Sequence, residues 1–219
     1  MAKPRPRAAE KSGENARDVI LAAARAEFAE HGFNGARVDR IATRSGLNKQ
    51  LVYYYFGSKD DLYRTALEAA YSEIRLREQD LDLRSLPPQD AIVLLIDFSL
   101  NYLAQHREFI RMLADENALG GAHMKDSDTF RRTNSPLIEM IGATLREGEA
   151  QGIFRKGVDP LELYISIAGM TFFYFANSLT MSAIFGRDLS APETLASYRN
   201  HIVTLTLAGL RPETAGEGG

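Results

Sequence analysis

Residues 38–56, VDRIATRSGLNKQLVYYYF, set a glycine between two runs that carry helical apolar spacing but are too short to hold a helix alone. Val38, Ile41 and Ala42 mark one face of the first run, and Val52 and Phe56 mark one face of the second. Helices under about 12 residues are marginal in water, so both must be held by packing against a third element. Gly46 can take the left-handed conformation that ends a helix, and Asn48 can cap the next one through its side-chain oxygen. The expectation is a helix over Val38–Ser45, a tight turn, and a second helix from Asn48 to about Phe56. With Val52 and Phe56 turned inward, Lys49, Gln50, Tyr53 and Tyr54 point out. Core packing accounts for Tyr55, but not for three consecutive tyrosines.

Helical periodicity runs through nearly all of the 219 residues and no stretch alternates long enough for a strand, so the expected fold class is all-α. A first helix is expected from the box Asn15-x-x-Asp18 to Gly32, burying Ile20, Ala24 and Phe28. A fourth opens at the box Ser58-x-x-Asp61 and runs past Tyr71 towards Gln79, linking head to body. After the break at Leu86-Pro87-Pro88, helices are expected at Gln89–Gln105, Glu108–Ala118, Thr129–Gln151, Pro160–Phe185 and Pro192–Leu210. GGAHMKDSD is a loop by composition, and the terminal TAGEGG is expected to be disordered. The domains are placed at residues 1–64 and 65–219.

Charge is unevenly spread between them. Residues 1–64 hold 12 Lys and Arg against 8 Asp and Glu, a net of +4, whereas the rest hold 14 against 21, a net of −7. A basic head on an acidic body points to a polyanion-binding end. Cysteine is absent, which removes thiolate catalysis and thiolate metal sites. No apolar stretch of signal-peptide type follows the basic first residues, so the expected location is cytoplasmic. Leu163–Phe185 runs 23 residues without a charge, long enough to cross a bilayer. Its interspersed Ser, Thr and Asn side chains favour a helix buried in protein, with no membrane partner. Enzyme signatures fail: there is no Glu-x-x-His pair, no Gly-x-Ser-x-Gly elbow, and GIFRKGV lacks the lysine and hydroxyl of a phosphate loop. No catalytic residue, metal or cofactor is expected. A helical sensor without DNA activity would leave the basic head and the tyrosines unexplained.

Two short helices around a glycine turn, the second studded with hydrogen-bonding groups, form the helix-turn-helix arrangement, whose second helix enters a DNA major groove. Here the sequence resembles the TetR family of transcriptional regulators. Phe28, Gly32 and Phe33 fit the end of that family's first helix. Val38, Ile41, Ala42, Gly46 and Leu47 fit its turn. Tyr53, Tyr54, Phe56, Ser58, Lys59 and Leu62 fit its tyrosine-rich recognition helix and the opening of its fourth helix. The likeness is specific over residues 15–64 and architectural beyond. It implies a homodimer on a near-palindromic double-stranded DNA operator, with Lys49, Gln50 and Leu51 on base edges and Asn48, Tyr53, Tyr54 and Lys59 on phosphates. The chemistry agrees: lysine donates to guanine, glutamine pairs with adenine, leucine meets a thymine methyl, and Lys59 opens a helix whose free N–H groups favour an anion. Arg37 stands where family heads often carry Ser or Thr; it cannot cap a helix but can reach a phosphate. The arm Lys3-Pro-Arg5-Pro-Arg7 can track a backbone or minor groove, or serve as a solubilising tail.

The resemblance also implies a body that binds a small effector, dimerises through its last two helices, and releases a repressor from DNA. GVDPLELYISIAGMTFFYFANSLTMSAIFGRDL is similar to the subgroup containing the pyrimidine-utilisation regulator. Leu195, Tyr198, Ile202, Leu205 and Gly209 follow a three-four spacing that suits a helix–helix seam. Phe98, Tyr102, Met112, Asn117 and Met140, with Phe173, Tyr174, Asn177 and Met181, mix aromatic walls with isolated polar groups and are the expected effector pocket for an aromatic or heterocyclic molecule. Asn177, an amide in a long apolar helix, needs a partner that a ligand could supply.

Overall fold

The computed structural model describes residues 7–125 and 127–212. It divides into two compact units, a head of Met1–Tyr71 with Arg111–Phe130 and a body of Ser72–Ile110 with Arg131–Gly219. The head therefore takes in residues 65–71 and 111–130 beyond the expected 1–64. Among the described residues every regular element is helical: α1 (Arg7–Gly35), α2 (Val38–Ser45), α3 (Lys49–Phe56), α4 (Lys59–Gln79), a 3₁₀ turn (Leu83–Ser85), α5 (Pro88–Gln105), α6 (Arg107–Ala118), α7 (Asp128–Ala150), α8 (Pro160–Ala176), α9 (Ser178–Phe185) and α10 (Pro192–Leu210). Residues 3–6 of the basic arm and the terminal TAGEGG lie outside the described residues.

In the head, α1 begins eight residues before the expected Asn15 box, because the strong helix formers Arg7, Ala8, Ala9, Glu10 and Lys11 follow Pro6 directly. Its regular run breaks at Gly32, whose φ of 65° and ψ of 174° are open to glycine and not to an L side chain. A Cβ there would also lie 2.7 Å from Oδ1 of Asp115. Asp115 uses the close approach: Oδ2 accepts from the Phe33 N–H at 2.7 Å and from the Tyr63 hydroxyl at 3.0 Å. Ile20, Phe28, Ile41, Leu62 and Tyr63 are almost wholly buried in one cluster with Val52, Phe56, Met112 and Phe130. Each such side chain contributes about 1.5–3 kcal/mol, enough to fix two eight-residue helices that could not stand alone.

In the body, α5 packs against α8 and α10. Arg199 of α10 grips Asp97 of α5 through Nε and Nη2, both at 2.7 Å, a two-pronged pairing that sets register as well as contact. Arg75 and Glu78, both buried, pair within α4, and Arg75 also donates to the Tyr164 hydroxyl of α8 at 2.5 Å. The single helix expected over Pro160–Phe185 is instead two, bent by 70° at Asn177. The amide of Asn177 turns back to donate to the Phe173 carbonyl at 3.0 Å, an own-turn bond that competes with helix continuation. Among the described residues no single helix is long and apolar enough to cross a membrane, and the bent α8–α9 pair matches only in length and composition.

Candidate nucleic-acid interface

Gly46 takes φ 70° and ψ 13°, and its N–H meets the carbonyls of Ala42 and Thr43, closing α2. Leu47 continues with its N–H on the Ala42 carbonyl at 3.1 Å. Asn48 then accepts from the Leu51 N–H at 2.9 Å, so α3 starts at Lys49 in a fixed direction. Val52 and Phe56 anchor it inside, while Lys49, Gln50, Tyr53 and Tyr54 are exposed, Tyr54 at 79%. A tyrosine so open keeps its hydroxyl free to donate at small entropy cost, which suits a phosphate. Leu51 and Tyr55 are half-buried against the head core, and Tyr54 meets Tyr55 edge-to-face at 5.1 Å. The outward face is therefore the expected one, with Leu51 offering only part of its surface.

The phosphate-side residues are built in the same way. Ser58 accepts from the Asp61 N–H at 3.0 Å and donates to Asp61 Oδ2 at 2.6 Å, which caps α4 and places Lys59 in its first turn. The Ser58 hydroxyl holds the Asp61 carboxyl below its ordinary pKa. Lys59 Nζ lies 4.8 Å over the Phe33 ring, and burial pulls its pKa down. Arg37 occupies the cap position of α2 with no side-chain cap, as expected of its chemistry, and its side chain is exposed. Its N–H is instead met by Glu27 Oε1 from α1 at 3.1 Å. Glu27 is wholly buried and also accepts from Arg40 Nε at 2.6 Å, so one carboxylate ties the uncapped start of α2 to α1. Sequence reasoning missed Glu27; the available signal was an acidic residue one position before Phe28 on the buried stripe, paired with a cap position that could not cap. It also missed that Lys49 Nζ meets Asp39 Oδ1 at 2.8 Å.

This geometry presents a short, capped helix by its polar face, with hydroxyls, an amide and ammonium groups around it. Residues 20–66 match the pattern of bacterial regulatory proteins of the tetR family, and residues 88–205 match the tetracyclin repressor-like C-terminal domain. The chain belongs to the TetR family. It is thus a DNA-binding transcriptional regulator and not an enzyme. It is 33% identical to the HTH-type transcriptional repressor NicS of Pseudomonas putida over 198 residues, 90% of this chain and 93% of that one. The HTH-type transcriptional regulator RutR of Escherichia coli is 24% identical over 196 residues, 89% of this chain and 90% of its own. In fold it is similar to FadR from Bacillus subtilis, solved in complex with stearoyl-CoA, with a TM-score of 0.63 and 18% identity over 88% of this chain and 98% of that one.

The expected site residues of this TetR-family chain are spread over both units. Met112, 1% exposed, and Asn117, exposed, lie in the 111–130 segment that packs with the head, whereas the other seven expected pocket residues lie in the body. Phe173 is 54% exposed on α8. Tyr174 is buried against Tyr198, ring to ring at 4.3 Å, and its hydroxyl donates to the Leu189 carbonyl at 2.6 Å. Asn177 donates one amide N–H to the Phe173 carbonyl, a partner on its own turn. Phe98 and Tyr102 stack at 5.8 Å, while Met140 and Met181 are half-buried. Among the expected seam residues Ile202 is 1% exposed and belongs to the subunit's own core. Thr194, Ile202, Thr206 and Leu210 all turn inward, so the three-four spacing crossed from the inner to the outer face. Tyr198 is tied to α8 through a 3.0 Å bond to the Met170 carbonyl, and Leu195 is half-buried. Leu205 and Gly209 do stand outward, on a groove of about 610 Å³ between α8 and α10.

Proposed function

We propose that the chain is a repressor that binds a near-palindromic operator as a homodimer in the cytoplasm and leaves it when a small molecule occupies the body. The observation that carries the reading is the exposed face of α3. Lys49, Gln50 and the open part of Leu51 are assigned to base edges, and Arg37, Asn48, Tyr53, Tyr54 and Lys59 to phosphates on either side. Asn48 spends its oxygen on the α3 cap and keeps its amide N–H groups for this contact. Two copies would place their recognition helices about 34–36 Å apart, or a multiple of that. Repression is supported by the relative named a repressor.

Dimerisation is supported by the outer face of α8 and α10. Leu161, Ile165 and Phe173 are 50–58% exposed at four- and eight-residue steps, beside Leu205 at 53%. Gly169 lies in the same stripe of α8, and Gly209 lies on α10. A Cβ on either would meet nothing within 4 Å, so neither glycine is required by packing inside the chain. A glycine within a helix costs about 1 kcal/mol, which close approach of a partner helix would offset. Effector control is supported by a structural neighbour solved with stearoyl-CoA. Phe98, half-buried and stacked on the buried Tyr102, remains the proposed ring surface for an aromatic or heterocyclic effector. Control is placed on α4, which contributes residues to both units. Selection of duplexes from a random pool tests the reading: it predicts a two-fold-related site, and recovery of unrelated sequences with no common half-site overturns it.

A further inference from the structure

Lys49 and Asp39 face each other from the first turns of α3 and α2, with Nζ and Oδ1 2.8 Å apart. The other charges of α2 look elsewhere: Arg40 meets Glu27 at 2.6 Å and Arg44 meets Glu30 at 2.8 Å, both acids of α1. Asp39 is thus the acid that α2 turns towards the recognition helix. Its side chain is 71% exposed and that of Lys49 is 47% exposed, so the pair contributes little to holding the head together. A carboxylate on a surface that meets a polyanion lowers affinity for every sequence. The dipole at the uncapped start of α2 gives this acid a small stabilising role, and its aim at Lys49 calls for a further one.

We propose that Asp39 is a specificity-determining residue of the DNA interface, holding the Lys49 ammonium off the phosphates and presenting it to a strong base-edge acceptor, the O6 and N7 of a guanine. A lysine ammonium is a flexible point charge that takes any phosphate in reach. An ammonium has three N–H donors, so Lys49 can keep its charge-assisted bond to Asp39 while another N–H meets a base edge, whereas reaching out to a phosphate breaks that bond and leaves the carboxylate beside a like-charged backbone. Guanine alone among the bases offers two adjacent major-groove acceptors to the N–H groups that remain. The inference rests on the base contact proposed above for Lys49.

The test uses the full chain, the duplex it selects from a random pool, the single-base-pair variants of that duplex, and a scrambled duplex of equal composition. Asp39→Asn keeps shape and removes charge at an exposed site, so its melting curve should fall only slightly, by the lost interaction with the α2 dipole. It is expected to bind the scrambled duplex roughly five- to tenfold tighter, gain less on the selected one, and lose preference at one G·C pair per half-site. In a Lys49→Met background the same change should leave preference at that pair untouched. An unchanged ratio of selected to scrambled affinity, or a loss of preference that persists without Lys49, overturns the role of Asp39. If Lys49→Met alone keeps every base preference, the base contact of Lys49 fails; if it loses the G·C preference while Asp39→Asn keeps it, only the role of Asp39 fails.

Discussion

α3 in the head and α8 in the body are both apolar-rich helices, yet they disclose very different amounts. α3 has two inward positions, Val52 and Phe56, and nearly everything else on it is polar or aromatic with a hydroxyl. One way of docking it satisfies both sides, so its outward face is determined. α8 is apolar on every side: Leu163, Ile167, Tyr174 and Phe175 are buried while Leu161, Ile165 and Phe173 stay open. Such a helix announces that it needs cover twice without saying which face belongs to its own subunit. α10 shares the ambiguity, which is why Ile202 is core and Leu205 is surface although both lie on one three-four pattern.

The sharpest way to break this contrast is to charge the two faces separately. Ile165→Glu with Leu205→Glu should yield folded monomers that lose about 100-fold or more in operator affinity, because each head then binds without its tethered twin. Sedimentation and titration with duplex check both parts. Ile202→Ala should instead cost about 2–5 kcal/mol of stability in chemical denaturation, with any remaining folded protein still dimeric. If Ile202→Ala gives stable monomers, the division between inner and outer faces of α10 is wrong.

Within the head, Glu27→Ala removes the acceptor for Arg37 N–H and Arg40 Nε. A loss of about 2 kcal/mol in stability is expected, since these are bonds to a buried charge, and circular dichroism melting will show it. Tyr53→Phe should weaken binding to all duplexes alike by about 0.5–1.5 kcal/mol. Lys59→Ala should do the same and lower the salt slope by about one. The smallest effect is at α4's cap. Because Asp61 is held below its ordinary pKa chiefly by the Ser58 hydroxyl, its support for the fold is complete above the unfolded carboxylate pKa and fades as pH falls through the lower folded value. Ser58→Ala should move the Asp61 titration up towards ordinary carboxylates, read by NMR, and an unmoved titration would remove Ser58 as the cause.

Much of the head was legible because its signals are local. Gly46, Asn48 and the Ser58–Asp61 box each settle a helix end within a few residues, and the observed bounds of α2 and α3 agree with them. Glu27 was not legible, since its partners are ten and thirteen residues away and only packing brings them together. Residues 111–130 joined the head for the same reason: the periodicity of Met112 and Phe130 marks them as buried but carries no address. Asn177 was not legible in its local bonding, because an amide can find a partner on its own turn, which polarity on an apolar helix does not reveal. The effector surface remains the least legible part, as aromatic residues such as Tyr174 serve the core equally well.

The central claim is that one face of α3 reads bases while its flanks hold phosphate. Affinities of the wild type, Gln50→Ala and Tyr53→Phe should be measured on a selected duplex and on each of its single-base-pair variants. The account predicts that Tyr53→Phe lowers all affinities by one common factor, whereas Gln50→Ala flattens the preference at one or two base pairs per half-site, by about 1–3 kcal/mol each, and leaves the rest in order. A Gln50→Ala profile parallel to the wild type at every position, or a Tyr53→Phe profile that changes which base is preferred, would contradict it.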